Sequence, residues 1–303
     1  MPNHVTNIIS FKGSTKDVED LRNAIKGIDT DGTEQLIDFS KIIPMPPELM
    51  IASSSNVDYG IAVILFRERG DDSKLKPILA YPWVKAENIT KAEQLANYLV
   101  EEGRADLTQG KQALENLDKH GFKDWYSWSV ANWGTKWNAY SISEVDDKIM
   151  FDTAWSTPFP VIEKLSSMFP NVQITLEFAD EDFGHNCGEI VFLYGESIVD
   201  FIPEGGSAEA YVLAARINGM GLEEMFYATG CSEDETFLNQ VFVAMFSKFS
   251  PKEVVDEVEF SDDIEFSDTF FSVLKQTLID QEEYELIGLL DKIKDSVKKE
   301  GEE

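Results

Sequence analysis

The chain has 303 residues, 43% hydrophobic and 12% aromatic, which supports a sizeable core and excludes wholesale disorder. Against 26 basic residues stand 56 acidic ones, a net charge of −30 that repels phosphate and argues against direct nucleic-acid binding. No apolar run reaches the ~18 residues that a membrane helix needs.

His4 to Phe11 alternates and carries β-branched residues, so it reads as a strand. Gly13 turns the chain, and Ser14 or Thr15 caps a helix to about Lys26, with Val18, Leu21, Ala24 and Ile25 on one face. Gln35 to Ile43 reads as a second strand, ended by Pro44-Met45-Pro46-Pro47 because proline cannot donate to a ladder. Residues 48–121 change character and read as a helical insertion. Within it Asp58 to Arg67 is a short buried helix or strand, while Lys91 to Glu102 and Leu107 to Lys119 have helical periodicity, stopped by Gly103 and Gly121.

Strand character returns after Trp125. Ala139 to Glu144 and Lys148 to Ala154 flank Val145-Asp146-Asp147, a hairpin signal. Pro158 and Pro160 open a helix with Val161, Ile162, Leu165 and Met168, ending at Phe169-Pro170. Val172 to Phe178 and Glu189 to Tyr194 form another hairpin around Ala179 to Gly188. From Ser207 the pattern is helical: Ser207 to Asn218, Leu222 to Ala228, Glu235 to Phe249, and Thr269 to Lys298 with a break near Asp280. The expected class is α+β: a ferredoxin-like antiparallel sheet with helices on one face over residues 1–206, an insertion at about 48–121, and an all-helical domain over 207–303.

Three segments taken together carry a family likeness. They are Ile37-Asp38-Phe39-Ser40-Lys41-Ile42-Ile43-Pro44-Met45-Pro46, Asn132-Trp133-Gly134-Thr135-Lys136-Trp137-Asn138-Ala139, and Thr153-Ala154-Trp155-Ser156-Thr157-Pro158 running on to Phe178-Ala179-Asp180-Glu181-Asp182. In these the chain resembles the Api92-like (YubB-like) family of phage- and plasmid-encoded proteins with a ferredoxin-like domain. The resemblance covers roughly residues 2–200 and brings no catalytic residues with it. It implies a mobile-element context, in which accessory proteins often act as counter-defence factors.

Between Lys164 and Lys248 fourteen acidic residues face a single base, Arg216. Such a field speeds encounter with a basic partner. Asp180, Glu181 and Asp182 open a loop running to Cys187, an acidic hairpin loop that also holds His185. Carboxylates and one imidazole suit a divalent ion only loosely, and the spacing matches neither a zinc site nor an EF-hand, so no metal is expected. Cys187 two residues from His185 suggests a thiol nucleophile, but surrounding carboxylates would raise its pKa. Trp125, Trp128, Trp133, Trp137 and Trp155 fall close together; Trp128, Trp133, Lys136 and Trp137 form either a ligand platform or an anchor of core. Phe260 and Phe266 interleave with Asp262, Asp263 and Glu265, a pattern suited to a basic, partly apolar groove. The apolar stretch Glu235 to Phe249 suits either a domain centre or a homo-oligomer interface.

No GxxxxGK[ST], GxGxxG, GxSxG or HExxH occurs, so catalytic residues and cofactors are not expected. Two cysteines, Cys187 and Cys231, are too few for a disulfide framework, and the amino terminus lacks a basic region leading into an apolar stretch. The expectation is therefore a protein of the bacterial host's cytoplasm, outside the membrane. Its function would be a counter-defence inhibitor that grips a basic host protein, such as a Gabija-type immune nuclease complex. The alternatives are a nucleotide- or metal-binding module or enzyme built on the tryptophans and acidic loop, and a structural accessory of the phage particle.

Overall fold

The computed structural model describes residues 3–29 and 31–220, with isolated positions beyond them at 225, 244, 271, 272, 275, 276, 279, 287, 288, 290 and 291. The helices expected after Asn218 fall, those positions apart, outside the described residues, and so do Phe260, Asp262, Asp263, Glu265 and Phe266.

The chain opens with β1 (His4–Lys12) and α1 (Thr15–Ile25). Ser14 is the cap: its Oγ accepts from the Asp17 backbone N–H at 3.1 Å. Two short strands, β2 (Gly27–Ile28) and β3 (Glu34–Gln35), pair only with each other. The expected second strand, Gln35 to Ile43, is therefore corrected: past Gln35 the chain turns into helix α2 (Phe39–Ile42). Phe39 and Ile42 are both buried, three apart, a helical and not a strand repeat. Asn138 Oδ1 accepts from the Phe39 N–H at 2.9 Å, a cap supplied from 99 residues away.

Helices follow: α3 (Ser55–Arg69), α4 (Leu75–Ile78), α5 (Pro82–Ala86), α6 (Ala92–Glu101), α7 (Leu107–His120) and α8 (Trp125–Asn132). The segment Asp58 to Arg67 thus resolves as helix. Gly103 and Gly121, with φ of 63° and 77°, follow α6 and α7 as left-handed stops. After Trp125 helix α8 intervenes before strand character returns at residue 140; Asp124 caps α8 by accepting from the Ser127 N–H at 2.9 Å. The remaining elements are β4 (Tyr140–Val145), β5 (Lys148–Ala154), α9 (Phe159–Met168), β6 (Gln173–Asp180), β7 (Cys187–Leu193), β8 (Glu196–Phe201) and α10 (Ala208–Asn218). Strand β8 was not foreseen, because its side chains are nearly all exposed and give no apolar alternation.

Two compact units emerge: Met1–Asp38, Ala139–Thr157 and Ile162–Glu303 in one, Phe39–Asn138 and Pro158–Val161 in the other. The first holds an antiparallel sheet in the order β4-β5-β1-β6-β7-β8. Strand β1 is central, with Val5 opposite Thr153 of β5 and Asp180 of β6. Numbered by appearance in this sheet, the strands β6-β1-β5-β4 run 4-1-3-2, the ferredoxin-like order, and β7 and β8 extend it past β6. The hairpin β4–β5 turns on Asp146 and Asp147, with φ of 50° and 61°.

Helices cover both faces of this sheet, not one. Arg22 of α1 lies 5.4 Å from the Phe11 ring. Helix α10 packs Ala210, Leu213, Ala214 and Ile217 against Ile8, Ala179 and Cys187. Ile8 and Phe11, three apart on β1, point to opposite faces. The second unit has its own cores, one around Val63, Leu75, Val84, Leu95 and Leu99, another around Val57, Ile61, Leu65 and Ala113.

Candidate functional site

Asp180 ends β6 and is 6% exposed. Its Oδ1 accepts from the Asp182 backbone N–H at 2.9 Å and from Asn3 Nδ2 at 3.4 Å. Its Oδ2 accepts from Asn186 Nδ2 at 3.1 Å. This carboxylate folds the loop and is not presented to solvent. Glu181 and Asp182 beside it are exposed.

The loop is held from below. Gly184 sits at φ 76°, where an added Cβ would lie 2.3 Å from the Tyr211 ring. Phe183 lies 5.6 Å from Tyr211, ring to ring. The Gly206 N–H donates to the Gly184 carbonyl at 2.9 Å, which ties the loop to the turn that follows β8. Loop 181–186 and the end of β8 therefore share one corner of the sheet.

Among the described residues strand β8 is the sheet edge at that side. Glu196 through Asp200 are all exposed; Ile198 and Val199 are each 52% exposed and Ile202 is 60%. Between Val191/Val199 and Phe192/Ser197 the register shifts, so Ile198 is an extra, unpaired bulge residue. Glu181, Glu196, Asp200 and Glu204 form no ion pair among the described residues. At the far edge β4 differs: Glu144 there is paired with Arg22 of α1 at 2.5 Å.

Cys187 is 1% exposed and lies beneath α10, its Sγ 3.4 Å from the Ala210 carbonyl. Burial pushes its thiol up to about 11. His185 stands exposed on the loop, so thiol and imidazole occupy different surroundings. With Cys231 replaced by serine, the folded protein should leave Cys187 untouched by a disulfide reagent at pH ~8, below that pKa, and denaturant should release it. Rapid labelling of the native chain would contradict the burial. Among the described residues no three His, Cys, Asp or Glu side chains are grouped to hold a metal ion, and no helix there is long and apolar enough to cross a membrane.

The tryptophans divide. Trp128 and Trp133 are each 6% exposed and meet edge-on at 5.5 Å. Trp133 Nε1–H donates to the Ile43 carbonyl at 3.0 Å, and its ring lies 5.9 Å from Phe39. Trp137 is 38% exposed, with Lys136 Nζ 4.5 Å over its ring. Only Lys136 and Trp137 of these four stand at a surface. Trp155, 44% exposed, belongs to the other unit.

A charge cluster went unforeseen. Glu177 on β6 lies directly opposite Glu189 on β7. Arg216 of α10 bridges both, at 2.5 Å to Glu177 and 2.8 Å to Glu189. Its isolation as the sole base between Lys164 and Lys248 was the available signal.

Comparison with known proteins places the sheet. Residues 133–227 match the family model described as the ferredoxin-like domain in Api92-like protein. A crystal structure of a protein api92 from Yersinia pseudotuberculosis is 11% identical, aligned over 68% of this chain and 99% of that one, at a TM-score of 0.32, a likeness too loose to carry argument. Among the curated proteins none matches the chain. Residues 133–227, which supply β4 to β8 of the sheet, are thus similar to the ferredoxin-like domain of Api92-like proteins.

Proposed function

We propose that the protein works by gripping another protein: a phage- or plasmid-derived accessory factor that docks on a basic host protein of the defence-nuclease class, for instance a Gabija-type complex, and blocks its approach to DNA. The supporting observation is the sheet corner where loop 181–186 meets the end of β8. Exposed Glu181, Asp200 and Glu204, without ion pairs among the described residues, stand there beside exposed aliphatic side chains, and residues 165–215 contribute no Lys or Arg at all. Acidic side chains of this kind complement the cationic groove with which a nuclease holds phosphate. Aliphatic groups beside them add the apolar contact that charge alone lacks.

The test mixes the full chain with a purified defence nuclease complex at ~50 mM and ~500 mM salt, following co-elution and DNA cleavage. Co-elution with suppressed cleavage at low salt, weakening at high salt, is expected. No co-elution and undiminished cleavage at either salt would end the reading.

A further inference from the structure

The sheet has two edges of opposite character. On β4, Glu144 is answered internally by Arg22, and the irregular pairing between Tyr140 and Ser143, with Ser141 at φ 52°, breaks the ladder. On β8 and just past its end, Glu196, Asp200 and Glu204 stand without cations among the described residues, interleaved with half-exposed Ile198, Val199 and Ile202. An edge strand left with open backbone groups and apolar side chains is a template for another chain. Natural sequences usually protect such an edge with lysine; β8 contains none.

We propose that the β8 edge is the docking seam itself, and that its occupant is an extended, cationic and partly aliphatic segment of a partner protein. This rests on the protein-binding reading above and names its place and its ligand chemistry. Main-chain pairing along Val199–Ile202, past the unpaired Ile198, supplies affinity. Lys or Arg side chains of the incoming segment answer Glu196, Asp200 and Glu204, and its aliphatic positions cover Ile198, Val199 and Ile202. A second copy of this chain is a poor occupant, because two β8 strands would set the carboxylates of both along one seam, and like charges facing across strands destabilise.

The probe is a capped peptide of alternating lysine and valine, added to the full chain while hydrogen exchange is followed at the backbone amides of 196–202. Those amides should slow with peptide. The triple variant Glu196→Gln, Asp200→Asn, Glu204→Gln should bind about tenfold more weakly, as should Ile198→Lys. An alternating lysine–serine peptide should lose a similar factor. Protection confined to other segments, equal binding of the serine peptide, or self-association through β8 without peptide would each overturn the seam. If the triple variant still captures the nuclease complex at full strength, the seam is wrong while the protein-binding reading survives. If the peptide protects β8 yet no nuclease is bound, the seam stands and the nuclease reading falls.

Discussion

Gly60→Ala should destabilise the unit built on residues 39–138 by about 3 kcal/mol, read as a lowered urea midpoint and faster hydrogen exchange in α3 and α7. Helices α3 and α7 cross glycine to glycine. A Cβ on Gly60 would fall 2.1 Å from the Asp106 carbonyl oxygen and 3.3 Å from the Gly110 Cα; one on Gly110 would fall 2.7 Å from the Gly60 carbonyl carbon. These are main-chain atoms, so no rotamer change relieves the overlap and the helices must part. Alanine's better helix propensity returns only about 1 kcal/mol. Gly103→Ala is the matched control: nothing lies within 4 Å of its added Cβ, and the left-handed φ of 63° costs only ~1–2 kcal/mol. Equal losses in the two variants would contradict the close crossing.

Arg216→Met should cost about 3–5 kcal/mol of stability, because removing one partner of a buried ionic group strands the others. Glu177 is 8% exposed and faces Glu189 across the β6–β7 ladder, so the variant leaves two carboxylates opposed beneath α10. Lys148, 3.4 Å from Glu177, is itself 47% exposed and compensates weakly. Replacing all three charges, with Glu177→Leu and Glu189→Leu added to Arg216→Met, should recover most of the loss, since an apolar set of similar volume removes the desolvation cost. Denaturant midpoints for both variants test this. A single variant as stable as the parent would mean that the guanidinium does not hold the two strands and α10 together.

Local chemistry was legible where the determining residues are neighbours in sequence. Ser14 capping α1 and the Asp146-Asp147 turn depend on contacts within a few positions, and both were readable. The misreadings share another cause. Ile37, Phe39 and Ile43 suggest a strand by composition, yet the Phe39 N–H is satisfied by Asn138, so the helical turn there is set by the far end of the unit that Phe39 opens. Trp133 was ambiguous for the same reason: its burial depends on Phe39, Ile43 and Trp128 meeting around it.

At the candidate site the division is similar. That Asp180, Glu181 and Asp182 form an acidic loop was plain from the residues; that Asp180 turns inward to hold Asn3, Asp182 and Asn186 was not. Strand β8 escaped notice because an edge strand exposed on all sides loses the apolar alternation by which strands are found in sequence.

By itself, then, the sequence determined the α+β class, much of the hairpin and helix pattern of the sheet unit, and a net charge of −30. Only the tertiary structure decided which strand stands second in the sheet, which tryptophans are core, and which acidic side chains lack an ion pair at the β8 edge among the described residues. Hydrogen-bonded turns and caps are short-range, so the local sequence specifies them. Strand order and charge pairing join residues distant in the chain, and only the packed fold brings those residues together.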